Sequence, residues 1–360
     1  MKKILLYVDE LGSGGAQRQI VALARLLKHK GYNVQLVDYW DNTFYDNELT
    51  NLGIPFCHAN VKGKLNIIKS LHKSIKEFRP NVVIAYMENP SIVACLVKLI
   101  SSHNFKLIVS ERNTTQIINI NCRVRFNLFR IADYVVPNSY SQRDFINTNY
   151  PFLKKKVVPI TNLIDVYYFK PNVDLVRKNN NTSRCLIVGR VVEQKNVKRF
   201  LSAIYRIKHS IGNMKIDWFG KPYPQEYFNE CKKLVSEYGL DDIITFHPPH
   251  NEIIREYQSS DFFILPSIYE GFPNVLCEAM CCALPVLAGN VCDNAYIMSD
   301  NENGFLFDPY DVADMSSVIE KFIKLSKAEK EIMGLKSREF AIERFSEKVF
   351  IEKYNNLIES

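Results

Sequence analysis

Residues 262–280 read Phe-Phe-Ile-Leu-Pro-Ser-Ile-Tyr-Glu-Gly-Phe-Pro-Asn-Val-Leu-Cys-Glu-Ala-Met. The four apolar residues at the start are typical of a buried strand, and Gly271 and Pro273 indicate a loop after it. A helix is predicted to begin near Asn274. Unpaired N–H groups and the positive end of the dipole at such a helix start favour an anion. This stretch therefore predicts an α/β fold with a binding site at the end of the strand.

Two glutamates flank the predicted helix start. Glu270 precedes the loop and Glu278 lies four residues after Asn274, so both are expected to face one pocket. One carboxylate would hold sugar hydroxyls and the other a ribose diol, with phosphates on the backbone between them. The alternative is that both are solvated surface charges, but the strand, glycine loop and helix around them favour the pocket.

Short β-branched runs alternate with helical patterns on both sides of this stretch. The alternation indicates βαβ units and two doubly wound, mostly parallel sheets. The predicted strands in the first half are residues 4–8, 34–37, 82–86, 107–110, 134–137 and 157–160. Those in the second half are residues 186–188, 216–219, 244–246, 262–265, 286–288 and 305–307.

The length of 360 residues suits two domains, and the pattern breaks in an asparagine-rich segment, residues 170–183, which we interpret as a linker. We predict an N-terminal domain over 1–170 and a C-terminal domain over 171–340. A terminal helix over 341–360 is predicted to pack back on the first domain. Ligands of such sheets bind beyond the carboxyl ends of the strands, so a shared substrate is expected in a central cleft.

Composition indicates a globular protein, with 47% hydrophobic and 24% charged residues. There is no apolar run of about 18 residues, and the nine cysteines include no Cys-x-x-Cys pair. We therefore expect a cytoplasmic protein, or one on the inner face of the cell membrane.

The charge differs between the two halves of the chain. Residues 1–170 hold 23 Lys/Arg and 12 Asp/Glu, a net +11, whereas the remainder holds 23 Lys/Arg and 27 Asp/Glu, a net −4. The basic first half is expected to face an anionic partner.

A second motif opens the second domain, where a strand ends at Gly189 and two cations follow it in a loop. Arg190 and Lys195 at the carboxyl end of a strand suit a diphosphate, because Arg forks onto oxygens and Lys acts as a point charge. An ordinary basic loop is the alternative interpretation of this motif.

A third motif, residues 12–19, is glycine-rich and leads from the first predicted strand into a helix. It matches neither the dinucleotide-binding spacing Gly-x-Gly-x-x-Gly nor a P-loop. It remains a helix start that is able to receive a phosphate or a sugar.

Together these segments resemble the GT-B glycosyltransferases of family 4, a retaining group that includes many bacterial surface-polysaccharide enzymes. The resemblance rests on Gly14-Gly15, Asn162-Leu-Ile-Asp165 with Phe169 and Pro171, Arg190 and Lys195, Glu270-x7-Glu278, residues 283–288 and residues 303–307. It implies two Rossmann-like domains facing a central cleft, with the acceptor bound by the N-terminal domain, 1–170, and the nucleotide-sugar by the C-terminal domain, 171–340. It also implies catalytic roles for Glu270, Arg190 and Lys195. The donor-binding residues that it implies are Gly14, Gly15, Gly271, Phe272, Pro273, Asn274, Val275, Leu276 and Glu278.

The implied reaction is retaining hexosyl transfer from a nucleotide-sugar to a glycan or polyprenyl-diphosphate-linked acceptor. By family frequency the donor is expected to be UDP-linked, and the pathway to be capsule, O-antigen or similar polysaccharide biosynthesis. No Asp-x-Asp pair is available for a divalent metal, so no metal or other cofactor is expected, and Arg190, Lys195 and the helix start would neutralise the leaving group. Retention in the family is assigned to front-face attack, with the leaving phosphate accepting the proton.

Two positions depart from the family pattern. Gln17 stands where a glutamate usually follows the glycine pair. Where many members carry a histidine near the donor sugar, this chain has Glu111, Arg112 and Asn113, which are therefore the candidates on the acceptor side.

An amphipathic helix is predicted over residues 64–78. Leu65, Ile68, Leu71, Ile75 and Phe78 form its apolar face, and Lys69, Lys73 and Lys76 form a basic face. Further basic residues in this half are Lys62, Arg79, Arg123, Arg125, Arg130 and residues 154–156. A solvated basic face is one interpretation, and peripheral binding to an anionic membrane that carries the acceptor is the other.

Three other functions compete with glycosyl transfer. A sugar-nucleotide 2-epimerase of the same fold would convert the donor without an acceptor. A catalytically silent sugar-binding homologue would be compatible with Gln17 and the missing histidine. A nucleic-acid-binding protein is disfavoured because no helix-turn-helix, finger or aromatic platform is recognisable.

Overall fold

The computed structural model describes residues 1–115, 117–172, 182–250 and 252–360. They form two compact units, Met1–Leu163 with Glu347–Ser360, and Ile164–Ser346. The predicted domain limits at 170 and 340 lie a few residues from these divisions. Most of the predicted linker, residues 170–183, lies outside the described residues.

The first unit is built on a six-stranded parallel sheet in the order β3-β2-β1-β4-β5-β6. Its strands are β1 (Lys3–Val8), β2 (Asn33–Asp38), β3 (Phe56–His58), β4 (Val82–Tyr86), β5 (Lys106–Glu111) and β6 (Tyr134–Pro137). Each strand is followed by a helix, in order α1 (Gly15–His29), α2 (Asp46–Asn51), α3 (Lys64–Phe78), α4 (Glu88–Ile100), α5 (Ile120–Leu128) and α6 (Tyr140–Asn149). Continuous apolar runs suit these strands because helices cover both faces of the sheet.

The second unit repeats the plan with a six-stranded parallel sheet in the order β12-β11-β10-β7-β8-β9. Its strands are β7 (Arg184–Val188), β8 (Lys215–Phe219), β9 (Ile244–His247), β10 (Phe262–Leu265), β11 (Val286–Gly289) and β12 (Gly304–Phe307). Its helices are α7 (Val197–Ile207), α8 (Gln225–Tyr238), α9 (Ile253–Ser259), α10 (Asn274–Cys281), α11 (Asn294–Ile297), α12 (Val312–Ile323) and α13 (Lys327–Phe345).

The last helix, α14 (Glu347–Glu359), belongs to the first unit. Its buried face adds Phe350, Ile351 and Leu357 to the core beside β1 and α1. The hydroxyl groups of Tyr354 and Tyr86 lie 2.8 Å apart inside that core. Residues 341–345, which we predicted to share one helix with it, end α13 in the second unit.

Both sheets reverse their strand order at one point, between β1 and β4 in the first unit and between β7 and β10 in the second. Connections leave to opposite sides there and open a crevice at the carboxyl ends of the strands. The segments that follow β7 and β10 are therefore the expected place for a ligand of the second unit.

Two predicted features differ from the structure. The edge strand β3 was not predicted, because three residues carry too short a pattern. The predicted strand 157–160 is wrong, since only Val157 forms a bridge, to Val135. Ile160 N still donates to Pro137 O at 3.0 Å, but Pro137 in β6 has no N–H to donate back to Val158 O, which stops the regular ladder there. Among the described residues, none of the helices is both long and apolar enough to cross a bilayer.

Candidate functional site

The reversal point of the second sheet brings Lys195 and Glu270 together. Lys195 lies in the loop after β7 and Glu270 in the loop after β10, and Lys195 Nζ is 2.5 Å from Glu270 Oε1. Their side chains are only 13% and 10% exposed. A largely buried ion pair at the carboxyl ends of neighbouring strands is costly unless it is held in good geometry, which makes it the candidate site of the second unit. Arg190, from the same loop, is exposed.

A short turn fixes the position of Lys195. Asn196 ends the turn in the left-handed conformation, with φ of 59°, and is 3% exposed. Its Nδ2 donates to Pro266 O at 3.1 Å and to Pro309 O at 2.7 Å, which ties the turn to the loops after β10 and β12. Gln194 adds a second tie, because its carbonyl accepts from Ile268 N at 3.0 Å. Asn196 is not among the site residues predicted from the sequence, although an asparagine that ends such a turn is a recognisable signal.

The backbone after β7 also approaches the end of β8 very closely. A Cβ atom at Gly220 would lie 1.9 Å from the carbonyl oxygen of Gly189, so only glycine fits there. The same oxygen accepts a hydrogen bond from Trp218 Nε1 at 2.8 Å. The loop that carries Arg190 and Lys195 is thus fixed at its start by the contacts of Gly189 with β8, and at its end by the hydrogen bonds of Asn196.

Glu278 lies on α10 and is 6% exposed. Tyr257, which is fully buried on α9, places its hydroxyl 3.1 Å from Glu278 Oε2. This hydrogen bond orients the carboxylate, and Tyr257 is a second residue that the sequence analysis did not identify. A third is Cys292, whose Sγ accepts from the backbone N–H of Glu270 at 3.4 Å.

The predicted donor-binding segment forms the start of α10, with Pro273 as the residue before it. Asn274 N donates to Phe272 O at 3.0 Å, and Leu276 N and Cys277 N donate to Pro273 O. Fewer N–H groups at the helix start are therefore free for an anion than we expected. The positive end of the helix dipole still lies there. Leu276 is fully buried in the core and Phe272 is 7% exposed, so their side chains serve packing.

In the first unit, the predicted glycine pair lies at the start of α1. Gly14 precedes the helix, and a Cβ atom there would lie 2.0 Å from Gln17 Oε1. Nothing lies within 4 Å of a Cβ at Gly15, so this side of the loop is open to a ligand. Gln17 is 7% exposed, and its Nε2 donates to Asp9 Oδ1 at 3.4 Å.

The three acceptor-side candidates at the end of β5 differ in accessibility. Glu111 is fully buried, with Arg125 Nη2 3.2 Å from its Oε2. Arg112 is 7% exposed, bonds to Asn162 Oδ1 and lies 4.7 Å over the ring of Tyr86. Asn113 is exposed. Of the three, Asn113 is therefore the one whose side chain is open to direct contact with a ligand.

Two family models together match most of the chain. The model described as Glycosyltransferase Family 4 matches residues 13–167, and the model described as Glycosyl transferases group 1 matches residues 174–339. This chain belongs to the family 4 glycosyltransferases. The predicted family and the predicted enzyme class, a hexosyltransferase, are confirmed.

The glycosyltransferase has relatives that align over most of their length. It is 24% identical to an N-acetylgalactosamine-N,N'-diacetylbacillosaminyl-diphospho-undecaprenol 4-alpha-N-acetylgalactosaminyltransferase of Campylobacter jejuni, over 86% of each chain. It is 27% identical to the amylovoran biosynthesis glycosyltransferase AmsD of Erwinia amylovora, over 80% of this chain and 81% of the relative.

Solved structures confirm the predicted GT-B fold. HepE of Anabaena, solved in complex with UDP, superposes with a TM-score of 0.85 at 18% identity over all of both chains. At that identity the likeness concerns the fold, which agrees with the two parallel sheets of this glycosyltransferase.

The basic face predicted for α3 is exposed in the glycosyltransferase. Lys69, Lys73 and Lys76 all face solvent, and Lys73 lies 3.8 Å from Glu77. The apolar face is narrower than predicted, because Leu65 is 73% exposed and the fully buried residues are Leu71 and Ile75. Across the described ranges, no group of three or more His, Cys, Asp and Glu side chains is placed to hold a metal ion.

Arg125 does not belong to a surface patch as predicted. It is 6% exposed and lies between two carboxylates, with Nη1 2.5 Å from Glu88 Oε1 and Nη2 3.2 Å from Glu111 Oε2. One guanidinium faces two carboxylates, so protonation of one of them balances the charge. Burial raises the pKa of Glu111 to about 8, an effect that Arg125 opposes and Glu88 reinforces.

Replacement Glu111→Gln is expected to flatten the pH dependence of stability. Between its ordinary pKa of 4.5 and the folded value of about 8, the unfolded chain releases the Glu111 proton while the folded chain keeps it. The wild-type free energy of unfolding therefore falls as pH rises through this window, by up to about 1.4 kcal/mol per pH unit. Urea unfolding at pH 5 and pH 8 measures the difference. An equal fall in the free energy of unfolding between pH 5 and pH 8 in wild type and in Glu111→Gln would contradict this expectation. Glu77→Gln, on the exposed side of α3, is the control and should behave as wild type does.

Proposed function

We propose that this glycosyltransferase is a retaining enzyme that transfers a hexose from a UDP-linked donor to a glycan or polyprenyl-diphosphate-linked acceptor. We place the reaction in cell-surface polysaccharide synthesis, of which capsule and O-antigen assembly are examples. The pair Lys195–Glu270 at the reversal point of the second sheet carries the proposal. The names of the relatives support it: the Campylobacter enzyme acts on a diphospho-undecaprenol glycan, the Erwinia enzyme serves amylovoran biosynthesis, and HepE was solved with UDP.

In the proposed donor complex, cations of the β7 loop neutralise the diphosphate. The Lys195 ammonium has three N–H donors, and its bond to Glu270 occupies one of them, which leaves donors for phosphate oxygens. Arg190 would add a forked contact. The dipole of α10 acts in the same direction, so the proposal needs no metal ion.

The two glutamates take different parts of the donor. Glu270, beside the cation, would accept hydrogen bonds from hydroxyls of the transferred sugar. Glu278, oriented by Tyr257, would accept from the ribose diol. Both residues are largely buried, with Glu270 8% and Glu278 6% exposed, so a ligand that brings polar groups near them without supplying hydroxyl donors is disfavoured.

The proposed step is a front-face substitution at the anomeric carbon. The bond from that carbon to the phosphate oxygen breaks, and the acceptor oxygen bonds to the same carbon from the same side. The hydroxyl proton of the acceptor passes to the leaving phosphate oxygen, and UDP departs. Lys195 and Arg190 stabilise the charge that develops on the phosphate in this step.

The first unit would meet the acceptor at an anionic membrane surface. Lys69, Lys73 and Lys76 on α3 supply charge, at about 1 kcal/mol each near anionic lipid. Exposed aliphatic side chains, Ile117 at 74% and Ile120 at 76%, supply apolar contact in the same unit. Flotation with phosphatidylglycerol vesicles at low salt tests this part, and a variant with all three lysines changed to serine should remain at the bottom of the gradient.

The experiment that tests the reaction is a donor panel of UDP-glucose, UDP-galactose, their N-acetylamino forms and GDP-mannose. The acceptor is a bacterial lipid extract that contains polyprenyl-diphosphate glycans. We expect acceptor-dependent UDP release from one donor, an α-linked product by NMR, and an unchanged rate in EDTA. A β-linked product, GDP release, or donor epimerised without acceptor would each reject the proposal.

Replacement Glu278→Gln is expected to raise the donor KM about 10- to 100-fold, because one ribose contact to a buried carboxylate is worth about 1.5–3 kcal/mol. The acceptor KM should not change. Glu343→Gln, an exposed glutamate on α13, is the matched control. An unchanged donor KM in Glu278→Gln would remove the ribose contact from the proposal.

A further inference from the structure

The loop between β2 and α2, residues 39–45, displays aromatic side chains at the carboxyl edge of the first sheet. Trp40 is 46% exposed and Phe44 is 62% exposed. Each is supported by a neighbouring ring, since Tyr39 and Trp40 meet edge to face at 5.1 Å and Phe44 and Tyr45 at 4.9 Å. We call residues 39–45 the aromatic loop. Large exposed rings supported in this way are a recurrent feature of recognition surfaces.

One histidine, His58, contacts the two residues that flank the aromatic loop. Asp38 ends β2 and Asp46 begins α2, and His58 on β3 lies between them. His58 Nδ1 lies 2.9 Å from both carboxylate oxygens of Asp38, and Nε2 lies 3.1 Å from Asp46 Oδ1. Burial disfavours the charged ring, but the two carboxylates outweigh it and raise the pKa of His58. The loop is therefore held in place before a ligand arrives, which lowers the entropy cost of binding.

The aromatic loop also lies directly beside the glycine-rich loop that precedes α1. The backbone N–H groups of Tyr39 and Trp40 both donate to Asp9 O, at 3.2 and 2.9 Å. A Cβ atom at Gly12 would lie 2.7 Å from Asn42 Nδ2, so the two loops are in contact. The glycine-rich loop follows β1, at the reversal between β1 and β4 where doubly wound domains bind ligands, and the aromatic loop follows the neighbouring strand β2.

Charge decides which ligand suits the aromatic loop. Residues 38–48 contain four acidic residues and no Lys or Arg, and Asp9 and Glu10 adjoin them, in a half of the chain that is otherwise basic. Two cations lie beside this segment: His58, which pairs with Asp38 and Asp46, and Arg18, which lies close enough to Tyr45 to oppose the rise of its pKa. The carboxylates outnumber these cations, so an anionic lipid or a phosphate is disfavoured here. An uncharged sugar ring is complementary, because its apolar face covers an aromatic ring while its hydroxyls donate to carboxylate and amide oxygens.

We propose that the aromatic loop binds an uncharged sugar residue of the acceptor, which stacks on Trp40 and Phe44 beside the glycine-rich loop. Asp41 and Asn42 supply acceptors for its hydroxyls. The inference rests on the proposed function, in that it assumes a glycan acceptor, and it assigns the acceptor sugar to a surface distinct from the basic face of α3.

Tryptophan fluorescence tests the proposal directly. The chain has two tryptophans, and Trp218 is fully buried in the second unit, so Trp40 is the one that a surface ligand contacts. The probes are methyl α- and β-glycosides of glucose, galactose, N-acetylglucosamine and N-acetylgalactosamine. We expect a saturable change with at least one of them, with a dissociation constant on the order of 1 mM.

Variants separate stacking from other causes. Trp40→Phe keeps a ring but loses the signal, and Phe44→Ala weakens binding roughly tenfold. Phe152→Ala, an exposed phenylalanine elsewhere in the first unit, should bind as wild type does. When the sugar that binds is used as acceptor, Phe44→Ala should raise the acceptor KM and leave the donor KM unchanged.

Two further titrations distinguish the possible failures. UDP is expected to perturb Trp218, which bonds to Gly189, in wild type and in Trp40→Phe alike. A retained UDP response and retained transfer, without any response to the glycosides, overturn the acceptor subsite alone. If the wild-type protein shows neither a fluorescence response to UDP nor sugar transfer, the proposed function itself is rejected. A change of Trp40 fluorescence with phosphatidylglycerol vesicles would assign the aromatic loop to the membrane and likewise overturn the subsite.

Discussion

Replacement Lys195→Ala is expected to lower the kcat of sugar transfer by about 10²- to 10³-fold, which is the usual cost of removing one donor to a developing negative charge. The Lys195 side chain is 13% exposed and lies in the turn that Asn196 ties to the loop after β10, so its charge is held in one place. The donor KM should rise less than kcat falls, because the charge on the phosphate grows as the bond to the sugar breaks.

Lys195→Ala also breaks the ion pair with Glu270. Removing Lys195 leaves a carboxylate that is 10% exposed without its cation, so the melting temperature of Lys195→Ala should fall as well. Glu270→Gln alone should also reduce kcat strongly. The double variant Lys195→Ala/Glu270→Gln should melt higher than Lys195→Ala, because no buried charge then remains unpaired, but it should not recover activity.

Lys198→Ala is the matched control. Lys198 lies three residues further along the chain, is 44% exposed and pairs with Glu230 at 2.5 Å on the surface. An exposed pair of this kind is worth about 1 kcal/mol or less, so activity and stability should change little. If Lys195→Ala kept more than about a tenth of the wild-type kcat, the cation would not serve the leaving group.

Replacement Gly220→Ala is expected to damage both stability and donor binding. The added Cβ would lie 1.9 Å from Gly189 O, 2.5 Å from Gly189 C and 3.1 Å from Arg190 N. All three are backbone atoms, so no change of rotamer relieves the overlap, and the end of β7 must move away from β8. We expect the free energy of unfolding to fall by about 3 kcal/mol and the melting temperature by roughly 6–12 °C.

The displaced segment is the one that carries Arg190 and Lys195. The residual folded enzyme should therefore bind UDP at least about tenfold more weakly, measured by Trp218 fluorescence or calorimetry. Gly212→Ala is the control in the same unit, because nothing lies within 4 Å of a Cβ there and only its φ of 56° is unfavourable, at about 1–2 kcal/mol. Equal losses of stability and of UDP affinity in Gly220→Ala and Gly212→Ala would contradict the steric cause.

The two sheets could be predicted because buried parallel strands are nearly continuous apolar runs. The predicted runs at residues 82–86, 134–137 and 262–265 coincide with β4, β6 and β10. Strand β3 could not be found, because Phe56–His58 is short, lies at the sheet edge and is only half covered. Residues 157–160 have the composition of a strand, but only the structure shows that they stop at one bridge.

The candidate site could be predicted as two separate loops and not as a pair. The sequence placed Glu270 and Lys195 after their strands, and the reversal of strand order, which sets those loops side by side, is a property of the whole sheet. For Arg125 the prediction from the sequence was wrong. Its position among other basic residues favoured a surface patch, whereas packing of α5 places it between Glu88 and Glu111. A contact of that kind depends on three elements at once, and no local pattern records it.

The placement of α14 in the first unit affects the order in which the chain can fold during its synthesis. Residues 164–346 form one uninterrupted unit, so the ribosome releases everything that unit needs before the chain is finished. The first unit begins earlier but lacks Phe350, Tyr354 and Leu357, which cover the core beside β1 and α1, until residues 347–360 emerge. The unit synthesised first is thus completed last, and its unfinished apolar surface needs protection from aggregation while the second unit is made.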